Sequence, residues 1–379
     1  MLAWFYLSLL WLFWLLFCGA VTYLILRYVL RGPSLADYDN PPISRIDNWS
    51  GTSDGHRQAV ALVEQSGQEI RSAPRSQRLK VIREVMARGF CEPTLLQSGN
   101  HYRVIPVDNG DIRGEWVLAP DYNPERRILY LHGGSFMAGC PAGHRVITSH
   151  IARISGAAVL ALDYRLMPEH SRKELIADCQ HGYRWLLDNG PDGPTPLESL
   201  YVAGDSAGGN LVLMVIAWAR DQGLRPANGA IALSPNADMT LSSPTYRSNR
   251  QSDVMLGPGF APYFKVPRTA LLIMVWMMTR INPRNPLLSP VFGDLAGLPP
   301  VLIQVSEAEM MLGDARRYVN KTRAAGGEAE LQTWPDMLHV WHLFEPILPE
   351  AREAFERIGQ FIDRCETNIQ SNNSVATTL

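Results

Sequence analysis

The chain has 379 residues, with 35 Lys and Arg against 37 Asp and Glu and a formal net charge of −2. Charges that nearly cancel, with no basic run, argue against a nucleic-acid partner, and the length allows one large domain or two ordinary ones. Apolar residues make up 46% of the chain, enough for a large core, although part of that content is concentrated in one place.

That place is the start. Residues 1–26, MLAWFYLSLLWLFWLLFCGAVTYLIL, carry no charged side chain. As a helix they reach about 39 Å, against a hydrocarbon core of ~30 Å. Trp4, Tyr6, Trp11, Trp14 and Tyr23 add aromatic character, and several suit the interfaces of a bilayer. A cleaved signal peptide fits less well, because no basic segment precedes the run and no small-residue cleavage site follows it. Bulky Phe17 argues against lipidation of Cys18. The expectation is a retained single-pass membrane anchor through residues 1–26. Arg27 and Arg31 follow it and none precedes it, which points the rest of the chain to the cytoplasm, with a periplasmic or lumenal placement as the alternative. The five cysteines (Cys18, Cys91, Cys140, Cys179, Cys365) show no metal spacing and need no disulfide scaffold.

Residues 31–100 are expected to form a linker and N-terminal cap helices. The stretch 32–55 is rich in Pro, Gly, Ser and Asp, and 56–90 holds two helical segments divided near Pro74, with Val60 and Val63, then Leu79, Ile82, Val85 and Met86 at helical spacing. Over 101–366, eight β-rich runs (RVIPV, GEWVLA, RILYLHGG, AAVLALDY, SLYVAGDS, GAIALSP, PVLIQVS, AELQTWP) are read as strands. Helical patterns lie between the later ones, at about 144–155, 173–188, 207–221, 310–325 and 349–364. Continuous apolar strands alternating with helices predict an α/β domain with a mainly parallel eight-stranded sheet flanked by helices. The Pro-rich stretch 236–295 breaks the rhythm near the carboxyl ends of the strands, a usual place for a lid. The tail, 367–379, is expected to be disordered.

The strongest chemical signal is GDSAGG, 204–209, between the strand SLYVA and the helical LVLMVIAWA. G-x-S-x-G in a strand–turn–helix context presents a nucleophilic serine, Ser206, on a tight turn that glycines make possible. The helix behind it aims amide dipoles at a developing oxyanion. HGGSF, 132–136, ends the strand RILYL, so the amides of Gly133, Gly134 and Ala207 are expected to form an oxyanion hole. A serine needs a base oriented by a carboxylate, in the chain order Ser, acid, His. His339 follows the last strand. The acid should follow PVLIQVS, where Glu307, Glu309 and Asp314 are candidates. His342 lacks further ligands and is read as structural, so no metal is expected.

From about 100 to 365 the chain resembles the hormone-sensitive-lipase family of carboxylesterases, which includes bacterial esterases, epsilon-lactone hydrolases and arylacetamide deacetylases. The resemblance rests on HGGSFMAGCPAGHR, ALDYRLMPEH, GDSAGG, LSPNADMT, PLLSPVFGDLAGLPPVLIQVSEAEMM and WPDMLHVWH, in that order. It implies an α/β-hydrolase fold, a cap made from the N-terminal helices and the 236–295 insertion, and Glu309 as the acid, from the family's similarity to VSEAEMML. Ser135 stands in place of a third glycine, Asn236 in place of a common Trp, and Arg172 and Lys173 in place of an apolar turn. Asp163, Arg165 and Glu169 are expected to form a buried ion-pair network.

The function expected is ester hydrolysis through a Ser206 acyl-enzyme, with His339 as base and Glu309 as its partner, without metal or organic cofactor. The substrate is expected to be a short- to medium-chain acyl ester or lactone. The alternatives are a phospholipase or acylglycerol lipase acting on membrane lipid, and a non-catalytic small-ligand receptor, against which the presence of His339 speaks. A homodimer is compatible with the sequence. Leu271, Leu272, Trp276 and Met277, in ALLIMVWMM, are expected either to line an acyl pocket or touch the bilayer, or to belong to a core helix of the cap.

Overall fold

The computed structural model describes residues 2–40, 51–89, 101–110 and 112–376; Cys91 and the linker 41–50 lie outside the described residues. Eight strands build the sheet: β1 (Arg103–Asp108), β2 (Arg113–Leu118), β3 (Asn123–Leu131), β4 (Ala157–Leu162), β5 (Ser199–Asp205), β6 (Gly229–Leu233), β7 (Val301–Ser306) and β8 (Ala329–Trp334). Their order is β1-β2-β4-β3-β5-β6-β7-β8. β2 runs antiparallel to both its neighbours, and every other pair is parallel. This is the mainly parallel eight-stranded sheet that the sequence predicts.

Side-chain alternation explains why the sheet is covered twice. Leu129 and Leu131 of β3, with Leu160 and Leu162 of β4, enter one buried cluster. It is shared with α5 (Arg172–Asp188), α6 (Ala207–Asp221) and α8 (Leu312–Ala324), through Leu175, Leu211 and Tyr318. Ile128, Tyr130 and Val159 face the opposite way, into a cluster with Ile147 and Ile151 of α4 (Arg145–Ser155) and Phe355 and Ile358 of α9 (Pro349–Ala376). Each such fully buried apolar side chain contributes about 1.5–3 kcal/mol. Local signals set the helix ends. Ser171 and Glu174 form a reciprocal capping box that starts α5, and Gly156, at φ 62°, closes α4 onto Ala152.

The N-terminal helices are α2 (Asp54–Ser72) and α3 (Arg78–Arg88). α3 is tied to the body by Arg83, which donates to the carbonyls of Met137 (2.8 Å) and Met167 (3.0 Å) and pairs with Glu169. α1 (Leu2–Arg31) is long and apolar enough to cross a membrane by length and composition. It projects from the domain, and only its last turns pack, with Leu30 buried. α7 (Arg268–Thr279) receives that end.

Three features bear on the expectations. α9 continues through Ala376, so most of the expected disordered tail is helical. Asp163, Arg165 and Glu169 do not form one buried network: each pairs with a different partner (Arg113, Asp178 and Arg83) and stays partly exposed. Finally, Leu271 and Leu272 point into the protein, whereas Trp276 and Met277 are 40% and 50% exposed, so the four do not share one face.

Candidate active site

The site lies at the carboxyl ends of β3, β5, β7 and β8, beside the point where the strand order reverses, the usual ligand crevice of an open α/β sheet. β5 ends at Asp205 and α6 begins at Ala207, which leaves Ser206 alone to make the turn, at φ 51° and ψ −116°. A non-glycine residue there is strained and persists only when its surroundings fix it. They do: the Ser206 amide donates to the Leu233 carbonyl at 2.7 Å. The flanking glycines are required by close approach. A Cβ on Gly204 would sit 2.4 Å from the Leu131 carbonyl oxygen, and one on Gly208 would sit 1.9 Å from that same oxygen.

Ser206 Oγ lies 2.9 Å from His339 Nε2, and His339 Nδ1 lies 2.5 Å from Glu309 Oε2. Ser206 is partly exposed, while His339 and Glu309 are buried. The second carboxylate oxygen of Glu309 accepts from the Ser306 amide (2.7 Å) and the Ser234 hydroxyl (2.8 Å). Ser234 Oγ also accepts from the Val340 amide at 3.2 Å, which ties the histidine loop to the acid. Burial pushes the Glu309 carboxyl up. Burial pulls His339 down, but the adjacent Glu309 charge outweighs it, so the imidazole is held above its ordinary value.

The other acid candidates are elsewhere. Glu307 accepts from Thr333 Oγ1. Asp314 is buried and accepts from Tyr246 Oη (2.9 Å) and the amides of Ala237 and Asp238. Burial raises its carboxyl well above the ordinary range. His342 is buried against Gln304 Oε1 at 2.7 Å and is pushed down to about 3 by burial. Among the described residues, no group of three or more His, Cys, Asp or Glu is placed to hold a metal ion.

The loop after β3 corrects one expected donor. The Gly133 amide is already engaged, donating to Asp205 Oδ1 at 2.9 Å. The amides of Gly134, Ser135 and Ala207 donate to no group among the described residues. Ser135 and Phe136 both take positive φ, 55° and 65°, so the serine in the third-glycine position still carries the left-handed turn. Asp205 anchors this loop from beneath. It also accepts from Tyr130 Oη at 2.6 Å and faces His144 Nε2 at 3.6 Å. Burial alone would push its carboxyl up, but His144 and these donors hold it down. His132 stacks on Tyr164 with ring centroids 4.2 Å apart.

Asp205 and Ser234 are the residues that the sequence reading missed. Asp205 was visible inside GDSAGG, but its partner Gly133 is far away in the chain. Of the substituted positions, Arg172 and Asn236 are buried, whereas Ser135 and Lys173 are exposed. Arg172 lies over the Phe136 ring, 3.6 Å from its centroid, and donates to Asn210 Oδ1 at 2.7 Å. Burial pushes its guanidinium down to about 10. Asn236 donates to Tyr246 Oη at 2.7 Å.

The strand order and the serine turn at the end of β5 define the class, the α/β hydrolases. A family profile described as alpha/beta hydrolase fold matches residues 128–343. An acetyl-hydrolase of Streptomyces hygroscopicus is 37% identical over 257 residues, covering 68% of this chain and 81% of its own. The carboxylesterase/phospholipase LipF of Mycobacterium tuberculosis is 33% identical over 253 residues, covering 66% and 65%. Among solved structures, EstE5 superposes with a TM-score of 0.67 at 36% identity, over 81% of this chain and 98% of that one. An esterase of the bacterial hormone-sensitive lipase family gives 0.69 at 31% identity, over 83% and 99%. This chain belongs to the α/β-hydrolase family, on its hormone-sensitive-lipase-like esterase branch, and is a carboxylic ester hydrolase.

Proposed function

We propose that this chain is a membrane-tethered serine esterase that cleaves uncharged short- to medium-chain acyl esters or lactones through an acyl-enzyme on Ser206. The observation that carries the reading is the continuous hydrogen-bonded line from Ser206 Oγ through His339 to Glu309. Ser206 Oγ attacks the acyl carbon as His339 Nε2 takes its proton. Glu309 holds the Nδ1 proton and stabilises the imidazolium. The carbonyl oxygen, now negative, is held by the free amides of Gly134, Ser135 and Ala207 at the amino end of α6. His339 returns the proton to the leaving alcohol. A water then repeats the sequence on the acyl-enzyme and frees the acid and Ser206.

Tethering is supported by α1, with Arg27 and Arg31 at its end favouring a cytoplasmic domain. A second reading, hydrolysis of membrane lipid, is favoured by that same tether and by the name of the LipF relative. The test is a series of p-nitrophenyl esters of increasing acyl length, run beside an intact phospholipid. The proposal expects kcat/KM to peak at short to medium chains, with slow release from phospholipid. A peak on the phospholipid would replace it with the second reading.

A further inference from the structure

α7 carries a contradiction that water cannot resolve. Its segment Ala270–Met278 has no polar side chain, and a helix apolar all round is stable only when covered all round. The inner face is covered: Leu271 and Leu272 are buried. The outer face is not, since Trp276, Met277 and Met278 are 40–52% exposed. Among the described residues outside α1, the exposed large apolar side chains are these three with Tyr263 and Val266, all within sixteen residues of chain, 263–278.

The patch lies where α1 ends. The Arg31 guanidinium reaches Thr269 Oγ1 (3.4 Å), near the start of α7, and the Val29 carbonyl accepts from Asn282 Nδ2 (3.2 Å), just past its end. These contacts are neighbours on α1 but lie at opposite ends of α7, which is about 18 Å long. α1 therefore crosses α7, and with α1 running into a bilayer, α7 lies along its surface. Arg27 on α1, Lys265 within the apolar segment, and Arg280 and Arg284 just past its end are all exposed, and Arg284 also lines an open cleft of about 420 Å³ with Pro33 and Phe292. Exposed basic residues on the same segments as exposed apolar ones suit anionic headgroups over acyl chains. The same charges disfavour a two-fold contact with a second copy.

We propose that the segment Tyr263–Met278 is a second membrane contact, seated in the headgroup layer of the leaflet that α1 enters. Trp276, Met277 and Met278 reach the acyl boundary, and Arg27, Arg280 and Arg284 meet anionic headgroups. The proposal rests on the reading of α1 as an anchor. The active-site domain is thereby held against the bilayer face rather than swinging from a single tether.

The test uses the full chain with Cys18→Ser, placed in nanodiscs of phosphatidylcholine and phosphatidylglycerol. An environment-sensitive fluorophore is attached at Met277→Cys or, as control, at Glu356→Cys on α9, across the sheet. The chain without an added cysteine serves as blank. Lipids carrying a nitroxide near the headgroup should quench the 277 probe at least about threefold more than the 356 probe, with a blue-shifted emission. Equal quenching at both positions, in a chain that stays in the disc through an alkaline wash, overturns the docking and leaves the anchor standing. Loss of the chain in that wash overturns the anchor reading, and the docking with it. Shielding of the 277 probe that appears only when two chains share a disc overturns the docking in favour of self-association.

Discussion

Replacing Glu309 by Gln removes one charge and changes almost no volume, but the local hydrogen bonds dictate how the amide must sit. Oε1 of Glu309 accepts from the Ser306 amide at 2.7 Å and from the Ser234 hydroxyl at 2.8 Å. A backbone N–H cannot reverse its role, so the glutamine carbonyl oxygen takes that place and its NH2 group faces His339 Nδ1. His339 Nδ1 must then accept, which puts the ring proton on Nε2, pointing at Ser206, where a base is needed. The variant loses both the charge that stabilises the imidazolium and the productive tautomer. The expected loss in kcat is about 10⁴-fold, near 5 kcal/mol of transition-state stabilisation. The assay is p-nitrophenyl acetate hydrolysis across pH, with thermal unfolding as the control for folding. Asp314→Asn, whose carboxyl serves Tyr246 and two amides instead, should cost far less in kcat. A loss of under about tenfold in Glu309→Gln, or a larger one in Asp314→Asn, would refute the reasoning.

Other outcomes follow from the same geometry. Ser206→Ala should lower kcat by several orders of magnitude without lowering the melting temperature, read by turnover and calorimetry. In the proposed mechanism activity requires neutral His339, whose imidazole is held above the ordinary value by Glu309. The acid limb of kcat/KM should therefore lie above about pH 6.5, rising with pH, and should move to lower pH in Glu309→Gln. A limb that stays put would break the link between the two side chains. Gly208→Ala places a methyl against the Leu131 carbonyl and should cost about 3 kcal/mol of stability, or abolish activity through a shifted turn, as denaturant unfolding and turnover would show. Asp205→Ala leaves the Gly133 amide unpaired. It should lower kcat about 10–100-fold while Ser206 still reacts with a fluorophosphonate, because the residue positions the oxyanion loop rather than touching substrate.

The order of strands and helices was legible because both faces of the sheet are buried, which writes long apolar runs such as AAVLALDY into the sequence. Ser206 was legible because a nucleophile turn needs glycines within two residues of it, a strictly local demand. The carboxylate was not: Glu307, Glu309 and Asp314 sit close together in sequence, and only the family resemblance pointed to Glu309. What separates them is which hydrogen-bond donors the fold brings from β6, β7 and the 236–246 stretch. The oxyanion donors were misread for a similar reason. Nothing in HGGSF reveals that Asp205 occupies the first glycine's amide, which leaves the Ser135 amide, two residues further on, as the free one beside Gly134. On α7, composition alone gave an apolar helix. Which half is buried depends on how its inner face packs against the protein, a tertiary contact with no local signature. The helix through Ala376 also ran past a Ser- and Asn-rich composition that favours disorder.

The most direct measurement of the proposed mechanism is mass spectrometry of the peptide carrying Ser206 after treatment of the active protein with a fluorophosphonate. The account predicts one adduct per chain, on Ser206, forming in step with loss of esterase activity and slowed in Glu309→Gln. Full inactivation with Ser206 unmodified, or an adduct on Ser206 that leaves turnover untouched, would contradict it.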